Sequence, residues 1–220
     1  MPLRTLDCKV TRMDTNRATE HLQVIRTLME RSTLYRRALA PISLLTGLLG
    51  LVAAAIGWTQ GIEAPRTFAG YWLAVGAVCI CGAYLIARQQ ALKDAEPFWS
   101  SPTRRVTSAL APPLFVGLLA GVLSICCPGW DFLQPWALPA IWMMLYGCAL
   151  HSAGFFMTRG IKLVGWLFVI CGCVLMAARC NDGGPLTLRQ EHLVMGAVFG
   201  GVHLAYGFYL RCTGKGSPPA

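Results

Sequence analysis

Six apolar runs, at residues 38–58, 68–88, 108–128, 135–156, 161–179 and 192–211, constrain this chain more than any other feature. A helix needs about 20 residues to cross the hydrocarbon core of a bilayer, and each run is close to that length. Lipid offers no hydrogen bonds, so a backbone that crosses it must satisfy its own N–H and C=O groups, as a helix does. The expected fold is therefore all-α: a polytopic membrane bundle of six transmembrane helices. With 55% of residues apolar and only 13% charged, composition weighs against a water-soluble domain.

The remaining chain divides around this bundle. Residues 1–37 form a polar segment, 38–211 the transmembrane domain and 212–220 a short tail. The first apolar run begins too far from the start to be a cleavable signal peptide, and nothing is expected to be removed. Within the polar segment, Leu22, Ile25, Leu28 and Met29 fall three and four residues apart, which predicts an amphipathic helix over 16–37 with Thr15 or Asn16 as its cap. Arg26, Arg31, Arg36 and Arg37 occupy its other sides. Such a helix suits a membrane surface or a protein partner.

The distribution of charge sets an orientation. The polar segment carries eight Lys and Arg; the second loop adds Arg88, Lys93, Arg104 and Arg105, the fourth Arg159 and Lys162, and the end of the chain Arg211 and Lys215. The odd-numbered loops hold only Arg66, Arg179 and Arg189. Basic residues are retained on the cytoplasmic side, so both termini are expected there, as an even number of spans requires. Trp58, Trp72, Trp130 and Trp136 then fall at the outer boundary as an aromatic belt. On this reading the net charge of +9 reflects retention and anionic headgroups, with no role for nucleic acid. Pro135 and Pro139 lie in the first turns of the fourth span, where proline is tolerated, and the sequence from Arg179 to Pro185 reads as a helix stop and turn.

The spans also repeat. Ala38-Leu39-Ala40-Pro41 recurs as Ala109-Leu110-Ala111-Pro112, and both Gly47-Leu48-Leu49 and Trp72 have counterparts 70 residues on, at Gly117-Leu118-Leu119 and Trp142. Leu114-Phe115-Val116 and Gly154-Phe155 are matched 53 residues later by Leu167-Phe168-Val169 and Gly207-Phe208. Collinear matches of this kind suggest three parallel helical hairpins. Gly117 with Gly121, and Gly196 with Gly200, have the spacing that lets helices approach closely, and packing within one bundle accounts for them without a second copy. The segment from Glu96 to Pro102 reads as an anchor at headgroup level.

None of the six runs contains Asp or Glu. That disfavours a carboxylate-driven transporter, a two-metal hydrolase and paired-carboxylate catalysis at membrane depth. HExxH, GxSxG, Walker and dinucleotide-binding patterns are also missing from the sequence, and no catalytic residue is assigned. Two histidines do lie at membrane depth, His151 and His203. Facing each other they could ligate a haem, or with Cys148 a copper ion. Alternatively each is a neutral imidazole bonded across helices to Ser152, Tyr146 or Tyr206. Five of the ten cysteines, Cys79, Cys81, Cys148, Cys171 and Cys173, fall inside apolar runs and read as small apolar side chains, with spacing unsuited to zinc. Near the outer face, one disulfide from Cys126 or Cys127 to Cys180 is an open option.

The stretch from Glu20 to Thr33, containing Ile25-Arg26-Thr27-Leu28-Met29-Glu30-Arg31-Ser32-Thr33, leads into a glycine-rich first span. Together with Trp142, Tyr146 and Gly147, and with His203-Leu204-Ala205-Tyr206-Gly207, it resembles a group of small bacterial multi-pass membrane proteins without an assigned activity, which begin with an "IRxLMERST" cytoplasmic helix. The resemblance implies the bacterial inner membrane and brings no catalytic residues with it. The leading expectation is a non-enzymatic membrane-embedded partner or sensor, contacting the bilayer and a protein through the N-terminal helix. The alternatives are a permease for a small molecule or lipid, and a haem-binding redox subunit using His151 and His203.

Overall fold

The computed structural model describes residues 38–93, 98–127, 135–157, 159–182 and 187–213, so the helix predicted over 16–37 lies outside the described residues. The described chain is helical, without a strand among its residues. Helix α1 runs Ala38–Thr59, α2 Pro65–Lys93, α3 Ser101–Cys126, α4 Leu138–Ala153, α5 Arg159–Asp182 and α6 Leu188–Thr213. Five of the six, all but α4, are long and apolar enough to cross a membrane.

The exception is the predicted fourth span, whose α-helix has narrower bounds than its apolar run. A run of 22 residues was expected at 135–156, whereas α4 has 16 residues, which at about 1.5 Å per residue gives only about 24 Å. The prolines and a glycine account for the difference. Pro135 opens a 3₁₀ turn, Pro135–Ala137; Pro139 sits in the first turn of α4; and Gly154 ends it, its N–H turned back to the carbonyls of Leu150 and Ser152.

Glycines set how closely the helices approach. Along the α1–α6 interface Gly47 lies against Leu204, Gly50 against Gly200, Ala54 against Gly196 and Gly57 against His192, so partner numbers fall as α1 rises and the two helices run antiparallel. Helices α4 and α5 form a second close pair, with Gly147 on Gly165 and Val169, and Gly172 on Ala140 and Met144. In lipid, where hydrophobic burial gives helices no mutual attraction, such backbone-level van der Waals contact is a main source of association. Gly196 and Gly200 thus serve packing inside the bundle, as their spacing suggested.

Helix α6 is not uniform. It is α-helical over Leu188–Met195, π-helical over Gly196–Gly201 and α-helical again over Val202–Thr213. The wider π turn lies where Gly196 and Gly200 meet α1.

Large apolar side chains cover the outer faces: Leu48 and Ile56 on α1, Val78 and Ile80 on α2, Phe115 and Leu118 on α3, Leu163 and Val174 on α5, Leu193 and Phe208 on α6. A water-soluble monomer rarely exposes apolar area on this scale. Lipid requires it, and the chain is a multi-pass α-helical membrane protein.

Candidate functional site

Among the described residues, three of the four buried polar side chains, Glu191, His192 and His203, lie on α6, and the fourth, Ser43, on α1. At the first turns of α6, the Thr187 hydroxyl accepts from the Gln190 N–H while the Gln190 side chain accepts from the Thr187 N–H, a reciprocal cap that starts the helix at Leu188. This start lies four residues before the predicted one, and it brings Glu191 into the helix, fully buried. The absence of carboxylates from the apolar runs therefore does not extend to the helices themselves. Arg189 reaches across to α1, where its Nε donates to the Trp58 carbonyl at 3.1 Å and its guanidinium lies 4.8 Å from the Trp58 ring. A cation at the carbonyl end of a helix complements the helix dipole, and the ring contact adds a cation–π term.

His192, fully buried, was not among the candidates from sequence. Its Nδ1 accepts from the Trp72 indole N–H at 3.1 Å, and its Nε2 lies 3.0 Å from the Ile62 carbonyl. A carbonyl can only accept, so Nε2 carries the proton, Nδ1 is the acceptor and the ring is neutral. The carbonyl is presented by the turn after α1, where Gly61 adopts φ +61°, a left-handed conformation that side chains other than glycine rarely hold. Phe68, Tyr71 and Trp72 surround the imidazole with ring centroids 4.8, 5.7 and 5.9 Å away. Trp72, expected in the interfacial belt, is instead buried at the α2–α6 contact, because its indole N–H has a partner inside the protein.

His203, two residues beyond the π segment, is the mirror case. Its Nδ1 lies 2.6 Å from the Phe199 carbonyl and therefore donates, which leaves Nε2 to accept from the Tyr146 hydroxyl at 2.7 Å. Phe168, Phe199 and Tyr146 pack around this bond at centroid distances of 5.0–5.5 Å. One histidine thus joins α6 to α2 and the other joins α6 to α4. The Tyr146 partner is one the sequence reading named.

His151 stands elsewhere. It lies edge-on to Phe155 and Trp166, each 5.5 Å away, and its Nδ1 is buried without a hydrogen-bond partner among the described residues. The structure brings neither Tyr146 nor any contact with His203 to it. A bis-histidine haem does not fit this arrangement: both nitrogens of His203 are already committed, and the rings pack on different aromatic clusters. Nor, among the described residues, do three His, Cys, Asp or Glu side chains converge as a copper or zinc site would need. Cys126 and Cys127 are free and exposed, while the side chain of Cys180 lies outside the described residues.

A cleft of about 500 Å³ opens at the other end of the bundle, where α3 begins, lined by Ser101, Arg104, Arg105, Ser108 and Ala109 of α3 and by Phe156 in the turn after α4. No sequence motif singled it out, although four of its residues share one helical face.

Fold and site together define a helical membrane protein whose last helix is bonded to its neighbours through buried histidines. In comparisons with protein families, curated proteins and solved structures, nothing matches this chain.

Proposed function

We propose that this protein is a non-enzymatic, membrane-embedded partner of the bacterial inner membrane, with six spans, both termini in the cytoplasm and its basic N-terminal helix as the part that engages another protein. The observation that carries this reading is the use made of the buried polar groups. Trp72, Tyr146, His192 and His203 bond to one another or to carbonyls at helix contacts. Tyr71 likewise donates to the Ala53 carbonyl at 2.6 Å. Groups engaged in this way hold helices together and are poorly placed to act on a substrate or to line a transport path.

The six-span topology is supported by the 3₁₀ turn Pro135–Ala137, which lengthens the helical stretch of α4, and by the lysines and arginines that gather at one end of the bundle. The hairpin repeat rests on the collinear sequence matches; its aligned tryptophans bond to different partners, Trp72 to His192 of α6 and Trp142 to the Gly117 carbonyl of α3 at 2.8 Å.

Two measurements test the proposal. A membrane-impermeant maleimide applied to intact cells is expected to label Cys126 or Cys127 and to leave Cys212 unlabelled until the cells are opened; the reverse pattern overturns the topology. Deleting residues 1–37 is expected to abolish a specific co-purifying partner and to reproduce the phenotype of gene loss while the bundle still inserts. If partner and phenotype both survive the deletion, the partner role is lost.

A further inference from the structure

The cleft at the start of α3 has chemistry that the partner role does not use. Ser101, Arg104, Arg105 and Ser108 follow at i, i+3, i+4 and i+7, which makes one polar stripe at the start of the helix, and the stripe faces Phe156 across the opening. At about 1.5 Å per residue, Arg105 stands about 31 Å from Cys126 at the far end of α3, close to the thickness of the hydrocarbon core. With Cys126 at one boundary, the two guanidiniums therefore lie at the headgroup level of the other.

Two features make this level a seat for an anion. Arg104 and Arg105 are exposed, and no carboxylate among the described residues pairs with either. They sit in the first turns of α3, whose N-cap residue Ser100 makes no side-chain bond to the helix backbone and instead meets the Thr103 hydroxyl at 3.0 Å; the positive end of the helix dipole is left open. Ser108 and Ala109 continue the lining one turn on, beside the apolar wall of Phe156.

We propose that this cleft binds the headgroup of an anionic glycerophospholipid, with its phosphodiester on Arg104 and Arg105 and its acyl chains descending past Phe156. The inference needs only that α3 crosses a membrane and stands apart from the partner role and from the direction of insertion.

The test is native mass spectrometry of the full chain, stripped of lipid in detergent and titrated with phosphatidylglycerol. R104Q/R105Q is expected to weaken binding on the order of tenfold to thirtyfold, the loss that two interfacial basic residues imply. R88Q/K93Q, which removes the same charge outside the cleft, is expected to change it less than threefold. Equal losses in the two variants, or undiminished binding in the first, overturn the site. Inorganic phosphate at millimolar concentration is expected not to displace the lipid; displacement would mean a free phosphate site and overturn the lipid assignment.

Discussion

Replacing Gly196 with alanine tests whether the α1–α6 contact is held at backbone distance. A Cβ at 196 would stand 2.3 Å from the Cβ of Ala54, more than 1 Å inside the optimal carbon–carbon separation of about 3.5–4.0 Å. Neither atom belongs to a flexible side chain, so relief requires the two helices to part. Parting them loosens the neighbouring contacts of Gly50 with Gly200 and of Gly47 with Leu204. Overpacking of this kind costs about 1–3 kcal/mol, and the value here belongs at the upper end because several contacts give way together. Gly201, in the same π segment, has open space around its would-be Cβ. Gly201→Ala is therefore expected to be neutral, or to stabilise by up to about 1 kcal/mol through helix propensity. The double substitution Gly196→Ala with Ala54→Gly moves the methyl group from one helix to the other and is expected to recover most of the loss. Reversible unfolding in bicelles, measured for the three variants and the parent, gives all the terms. Equal effects of alanine at 196 and 201, or no recovery in the double variant, would refute the argument.

Other substitutions address the histidines. Tyr146→Phe removes the donor to His203 and is expected to cost about 0.6–1.7 kcal/mol in the same unfolding assay, the range for interhelical hydrogen bonds in a membrane protein. Trp72→Phe keeps an aromatic ring but leaves Nδ1 of His192 buried without a donor, and is expected to cost about 1–3 kcal/mol; a loss below about 0.5 kcal/mol would contradict the assigned tautomer. Protein purified from haem-replete cells is expected to show no Soret band, because His203 uses both nitrogens inside the bundle; a band abolished by His203→Ala would overturn that geometry.

Much of the helical plan was readable from hydropathy, since α1, α2, α3, α5 and α6 each contain an apolar run long enough to stand out. The ends were less readable because they depend on single polar groups rather than on averages. The Thr187–Gln190 cap starts α6 earlier than its apolar run suggests, and that difference of one turn brings Glu191 into the helix and moves His192 from its first residue to a turn inside. His192 opens the sixth apolar run directly after arginine, glutamine and glutamate, so the sequence places it at the edge of the span. Its burial is a tertiary fact, supplied by Trp72 and Phe68 more than a hundred residues away. A capping box read at 187–190 would have placed His192 a turn inside the helix, without its partners. For His203 the local signal was better: an isolated histidine in an apolar stretch needs a partner, and Tyr146 was one of three on offer. The identity of that partner, and the solitude of His151, depend on how α4 is rotated against α6, which spacing alone does not determine.

The pairing of α1 with α6 also has a consequence in time. The ribosome delivers α1 before α6, so the glycines at 47, 50 and 57 enter the bilayer long before the surface that fits them exists. Throughout synthesis that face must meet lipid or a temporary companion, and only a chain completed through Gly207 can close the seam. A truncated product would keep an adhesive stripe open at its oldest helix, which offers membrane quality control a way to tell a finished molecule from an unfinished one.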